Sequence, residues 1–315
     1  MSYSLNELYR TVGVSKQAVK QAKQRQDRFD QELAELVVLA DQLKEEHPGC
    51  GVEKMYYTLN PKWMGRDQFC KIFLSLGYGV KRIRNYQRTT YSGGCFYPNL
   101  IEGMVVTRPF QVIQSDITYF YLDGRHYYLV FIIDVYTRLV VGYSVNDHMR
   151  TEGNLEAMNM AFKVLDFLPW GLIHHSDRGA QYSSREYTQL LKDNNIHVSM
   201  GLVAWENAYA ERINGIIKNE YLKRWKIKDY KDLKKKVEKA VISYNTKRLH
   251  RAFGMKCTPM GFYQKLVDLP AQERPTVKVY TEGKKNFLGA SSPFEVCPRE
   301  EPLAHVCPME FINEC

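Results

Sequence analysis

No stretch of this 315-residue chain approaches the roughly 18 uninterrupted apolar residues of a membrane-spanning helix, and the polar start MSYSLNELYR is no secretory signal. Cysteine is sparse. Seven residues, an odd number scattered without tight pairs, fit reduced thiols better than a disulfide framework. Acid is also in short supply, with 35 Asp and Glu against 44 Lys and Arg. These shortages argue against a membrane protein and a disulfide-stapled secreted module, and lead to the expectation of a soluble, cytoplasmic protein.

Apolar content is not lacking. At 44% hydrophobic residues the chain can build a real core, and its length exceeds one typical domain. The net charge of +9 is concentrated: between Lys218 and Lys256, 14 Lys or Arg stand against Glu220, Asp229, Asp232 and Glu238, a local excess of +10. Alone, a run such as KDLKKKVEKA reads as a solvated helix face. Beside a site that handles phosphates it would attract a nucleic-acid backbone, with steep salt dependence.

Residues 1–95 read as a helical arm. LNELYRTVGVSKQAVKQAKQR has helix-turn-helix grammar: a short helix, a turn at Val12-Gly13-Val14, then Ser15 capping a second helix that carries Lys16 and Lys20. A plain helical hairpin is the competing reading. Phe29, Leu33, Leu36, Val37, Ala40 and Leu43 then recur at helical spacing, as a core stripe or an oligomer seam, and His47-Pro48-Gly49 stops that helix. A second hairpin turns at Gly65. The stretch VKRIRNYQRTTYSGGC, with Lys81, Arg82 and Arg84 beside Tyr86 and Tyr91, reads as a linker that tracks phosphates.

From about residue 110 the pattern changes. VIQSDITYF, HYYLVFIIDVY and RLVVGYSVN are three β-rich runs, followed by a helix, the strand GLIHHSD, a second helix and the short strand HVSMG. That order predicts an α/β fold over residues 96–265, a mixed sheet flanked by helices. Residues 266–315 show little regularity and are expected to be a tail. Its Cys297, His305, Cys307 and Cys315 match no familiar zinc spacing and read as free thiols.

Three acids stand out. Asp116 lies mid-strand, Asp177 ends an apolar run before an Arg-Gly turn, and Glu211 rides the helical segment ENAYAERINGIIKNEYL. Gathered together, they suit Mg²⁺, a hard cation with a preference for oxygen ligands, and two such ions can drive an in-line displacement at phosphorus. Carboxylates so crowded repel one another without metal, which should leave the site loose. His175 and Arg178 flank the second acid and are candidates for phosphate contact or for packing. Asp134, at the end of FIIDVYTRL, reads as structural, bonding turn amides after its strand. Asn207 is expected to cap the helix carrying Glu211. Trp205 is read either as a stacking platform for an unpaired base or as packing.

The blocks HHSDRGAQYSS, ENAYAERINGIIKNEYL and YNTKRLHRAFGMKCTPMGFY resemble the DDE transposases of insertion sequences, most closely the second-frame catalytic protein of the IS-three family, whose core is shared with retroviral integrases. The resemblance covers roughly residues 5–265. It implies a ribonuclease-H-like core behind the helical arm, and Asp116, Asp177 and Glu211 as the metal-binding catalytic acids. It implies Mg²⁺ as cofactor, two ions with Mn²⁺ able to substitute, and Lys218, seven residues after Glu211, as a clamp on a terminal phosphate. Its partners would be element-end and target DNA, a second copy of the chain, and an upstream-frame protein or fusion; its setting would be the bacterial nucleoid. Two departures stand out: the 34-residue step from Asp177 to Glu211 is slightly short, and Glu206 replaces a usual aspartate, which makes it a rival third ligand. Against a transposase stand two alternatives, a nuclease of the same fold without strand transfer and a domesticated DNA-binding protein.

Overall fold

The computed structural model describes residues 5–81, 97–165, 169–279 and 294–296, which fall into two compact units divided after Val80. The expected linker residues Arg82, Arg84, Tyr86 and Tyr91, and the tail residues Cys297, His305, Cys307 and Cys315, lie outside the described residues.

The first unit is helical: α1 (Leu5–Val12), α2 (Lys16–Glu46), α3 (Val52–Leu59) and α4 (Arg66–Ser75). Gly13 takes the turn at φ 69°, where a Cβ would be strained. Ser15 caps α2, its side chain accepting from Ala18 N at 3.1 Å, and His47 ends that helix. Helix α1 and the turn at Gly13 stand where expected, and the helix capped by Ser15 and the apolar helical stripe from Phe29 to Leu43 form one continuous 31-residue helix. The reason is local: nothing between Ser15 and His47 is Gly or Pro, so no residue interrupts the hydrogen-bond ladder. The seam reading also gives way. Leu36 and Ala40 are buried, with Phe29, Leu33, Val37 and Leu43 packed against them, in a core completed by Met55, Phe69 and Phe73 of α3 and α4. That stripe covers the unit's own interior. Lys16 and Lys20 sit on the exposed first half of α2.

The second unit is built on a five-stranded sheet. Its strands are β2 (Val112–Leu122), β3 (Arg125–Asp134), β4 (Val140–Asn146), β5 (Ile173–Ser176) and β6 (His197–Met200), in the order β4-β3-β2-β5-β6. The first three pair antiparallel, whereas β5 and β6 run parallel to β2. Alternation along β3 supplies both faces. Val130 and Ile132 point to one cluster with Ala157, Met158 and Ala161 of α5 (Thr151–Val164) and with Tyr187 and Leu191 of α6 (Arg185–Asp193). Leu129, Phe131 and Ile133 point to the other, against α7 (Ala208–Ile216), a following π-turn (Ile217–Leu222) and α8 (Tyr230–Thr246). A mixed sheet in this order between helical layers is the ribonuclease-H-like arrangement. Helix α5 approaches β4 closely at Gly142, where a Cβ would lie 2.2 Å from the Ala157 carbonyl oxygen.

The expected irregular tail is in part a correction. Beyond α9 (Pro259–Val267), β7 (Pro275–Lys278) pairs with β1 (Val105–Val106) and with β8 (Phe294–Val296). Val277 and Val279 are fully buried with Val106, Val112 and Tyr136, so apolar burial orders the segment through residue 279.

Candidate active site

Two strands bring the aspartates side by side. Gln114 of β2 is in register with His175 of β5, and each acid follows its partner by two residues, so Asp116 within β2 and Asp177 just past the end of β5 lie at the same level of the sheet. Helix α7 supplies the third acid. Gln114 Oε1 accepts from Tyr209 N at 3.0 Å, and Asn214 Nδ2 donates to Asp116 Oδ2 at 2.8 Å, which fixes α7 along β2 with Glu211 between these anchors.

Electrostatics show the three acids working against one another. Asp116 is pushed up to about 8, first by burial and then by the charges of Asp177 and Glu211; the amide of Ile117 and Asn214 oppose the shift. Glu211 is raised by burial and by Asp177. Asp177 Oδ1 accepts from Gly179 N at 3.0 Å. Among the described residues no three His, Cys, Asp or Glu side chains form a ready-made cation cage. The donor set nevertheless fits a divalent cation: three carboxylates, all hard oxygen donors, whose mutual repulsion a cation would relieve.

Lys218 is the second residue of the π-turn after α7. Its Nζ donates to Thr118 Oγ1 and lies 5.3 Å from the Tyr119 ring centroid, on the β2 face it shares with Asp116. Burial lowers its pKa, the neighbouring Lys223 lowers it further, and Asp116 opposes both.

Other expectations fare differently. His175 is fully buried, its Nδ1 2.8 Å from Ser199 Oγ, and burial pulls it down to about 4, so it is a neutral packing residue and not a surface for phosphate. Arg178 is half-buried beside Asp177, and Lys81 is exposed. Glu206 turns its carboxylate back onto the amides of Leu202 and Val203. It caps the loop. Asn207 does not cap α7 through its side chain; its Nδ2 donates to Ser115 O at 2.8 Å, which bolts the loop to β2. Trp205 is 60% exposed at the tip of that loop. Asp134 is structural as expected, accepting from Phe110 N, Thr137 N and Thr137 Oγ1.

Several supporting residues were not singled out individually in the sequence. Ser115 Oγ lies 2.7 Å from the buried Tyr182 hydroxyl beside the two aspartates. Asn245 bonds both the N–H and the carbonyl of Val140 on edge strand β4. Arg248 forms a two-pronged pair with Glu220 behind the π-turn, at 2.8 and 2.9 Å. The asparagine and the arginine belong to the YNTKRLH block, whose role here is to join α8 to the sheet and to the π-turn.

Two integrase core domain models match the chain, over residues 106–203 and 192–259. An insertion element IS600 31 kDa protein of Shigella sonnei is 31% identical over 214 residues, covering 66% of this chain and 78% of that protein. The chain belongs to the insertion-sequence transposases of retroviral-integrase type. A putative transposase for insertion element IS986/IS6110 of Mycobacterium tuberculosis is 32% identical over 228 residues, covering 65% and 78% of the two chains. Among solved structures, an HTLV-2 integrase catalytic core domain in complex with magnesium matches with a TM-score of 0.39 and 22% identity, over 48% of this transposase and 94% of that chain.

Proposed function

We propose that this transposase cleaves DNA at element ends and joins the freed 3′ hydroxyl to another phosphodiester, with Asp116, Asp177 and Glu211 as the catalytic acids. The observation that carries the reading is the geometry that brings these carboxylates together: Asp116 on β2, Asp177 just past the end of the neighbouring β5, and Glu211 on α7, which Asn214 and Gln114 tie to β2. Asp116, Asp177 and Glu211 would hold Mg²⁺ through hard oxygen donors, and the bound cation would supply activation of the attacking hydroxyl and charge stabilisation at the leaving oxygen. The chain's own contribution is orientation. Asn214 and the Ile117 amide hold the Asp116 carboxylate, and the Gly179 amide holds Asp177. Lys218, half-buried on the same face, supplies a fixed positive charge for a phosphate oxygen. Arg178, next to the second acid, and Lys81 extend that contact. Lys16 and Lys20 on exposed α2 read the terminal sequence. Joining two ends requires at least two copies in the DNA complex. No helix among the described residues is long and apolar enough to cross a membrane.

The test incubates labelled element-end DNA with protein and Mg²⁺. Wild-type protein should give nicked and joined products, whereas Asp116→Asn and Glu211→Gln should give neither while still binding. Nicks without joined products would favour a nuclease, and cleavage by either variant would remove the acid assignment.

A further inference from the structure

On the side of α7 that carries Tyr209 and Arg212, arginines gather with little to balance them. The Arg138 guanidinium lies 4.1 Å from the Tyr209 ring centroid, and that of Arg248 5.6 Å from Tyr244. Arg212 follows Tyr209 by one helical turn on the same side of α7. The buried Tyr244 hydroxyl lies within electrostatic range of Arg138, Arg212 and Arg248 together, and Arg251 also acts on Arg212. Glu220 is spoken for by Arg248, and Arg138 is buried with Nη1 donating to Val135 O. Arg212 differs. It is exposed and makes no hydrogen bond or ion pair among the described residues, and the charges acting most strongly on it are those of Arg248, Tyr244, Arg138 and Arg251. Like charges held together invite an anion, and a planar guanidinium matches phosphate geometry.

We propose that Arg212 binds a backbone phosphate of duplex DNA flanking the reacting end, at a basic site separate from the carboxylates. Its position supports that occupant. Arg138 follows the end of β3, where Asp134 pairs with Ile113, three residues and about 10 Å along β2 from Asp116. Arg212 itself projects about 100° around α7 from Glu211. A duplex with one charge per about 1.7 Å of axis cannot place a phosphate at the acids without presenting others at this distance. The assignment rests on DNA being the substrate.

The test measures binding of full-length Arg212→Ala and Arg212→Gln to element-end duplex without divalent metal, as a function of salt. Affinity should fall about tenfold, and the salt slope should flatten by about one. On a panel of duplexes each carrying one neutral methylphosphonate, a single position should weaken wild-type binding while leaving the Arg212→Ala affinity unchanged. Inorganic phosphate at matched ionic strength should not displace the duplex; displacement would mean a free-phosphate site and overturn the proposal. Unchanged affinity and slope in both variants would also overturn it. Asp116→Asn, assayed in parallel for cleavage, separates the two failures: if it is inactive while Arg212 variants bind normally, only the Arg212 site falls.

Discussion

Asn214 donates to Asp116 across the boundary between α7 and β2 at 2.8 Å, so the helix that carries one acid also orients another. The bond favours the charged form of a carboxylate that burial and two neighbouring acids push up to about 8. Asn214→Ala should therefore raise Asp116 further. The pH at which Mg²⁺-dependent cleavage reaches half its maximum should move up, with about a tenfold loss of rate near neutrality. An unaltered pH–rate profile would separate Asn214 from the chemistry.

Asp116 also predicts a stability trend. An acid that binds its proton more tightly in the folded chain stabilises the fold fully below the ordinary carboxylate range, and loses that contribution as pH climbs through its folded value, here about 8. In the absence of metal, wild-type melting temperature should fall relative to Asp116→Asn between about pH 4 and pH 8. Divalent cation should close that gap. Parallel melting curves for the two proteins across the window would contradict the crowding of the acids.

Asn245→Ala should expose the cost of an unmet edge. It removes the partners of both the N–H and the carbonyl of Val140, in a buried setting. The loss should be about 1–3 kcal/mol for each group left unsatisfied, read as a lower denaturant midpoint with unchanged slope. A midpoint within error of wild type would mean that water replaces the side chain.

Gly142→Ala places a methyl group 2.2 Å from the Ala157 carbonyl oxygen, a backbone atom that cannot swing aside. Helix α5 must move away from β4, at a cost of about 1–3 kcal/mol. Chemical denaturation checks this, and a neutral result would show that the helix can shift freely.

The basic face of α8 should act through salt. Lys231, Lys234, Lys235 and Lys239 are exposed on it, and changing three of them to Gln should lower the salt slope of DNA binding by up to about 2.7. If the slope holds, the DNA runs elsewhere.

Much of the fold was legible in the residues because strand alternation and helical periodicity are local. VIQSDITYF, HYYLVFIIDVY and RLVVGYSVN became β2, β3 and β4, and Ser15 and Gly13 marked a cap and a turn through their own chemistry. The length of α2 follows from the absence of Gly and Pro between Ser15 and His47, which joins the segment carrying Lys16 and Lys20 to the one carrying Phe29 and Leu43. The tail strand β7 was invisible because its four residues carry no pattern; it exists by pairing with Val105 and Val106, some 170 positions away.

Sequence alone determined which residue types were available for chemistry and on which kind of element each would ride, since φ/ψ preference and side-chain period act within a few residues. Only tertiary structure decided their company. It buried His175, turned Glu206 back onto its loop, bound Asn207 to Ser115 and set unpartnered Arg212 among other arginines. Burial and charge proximity depend on segments that meet in space, and no local pattern encodes that meeting.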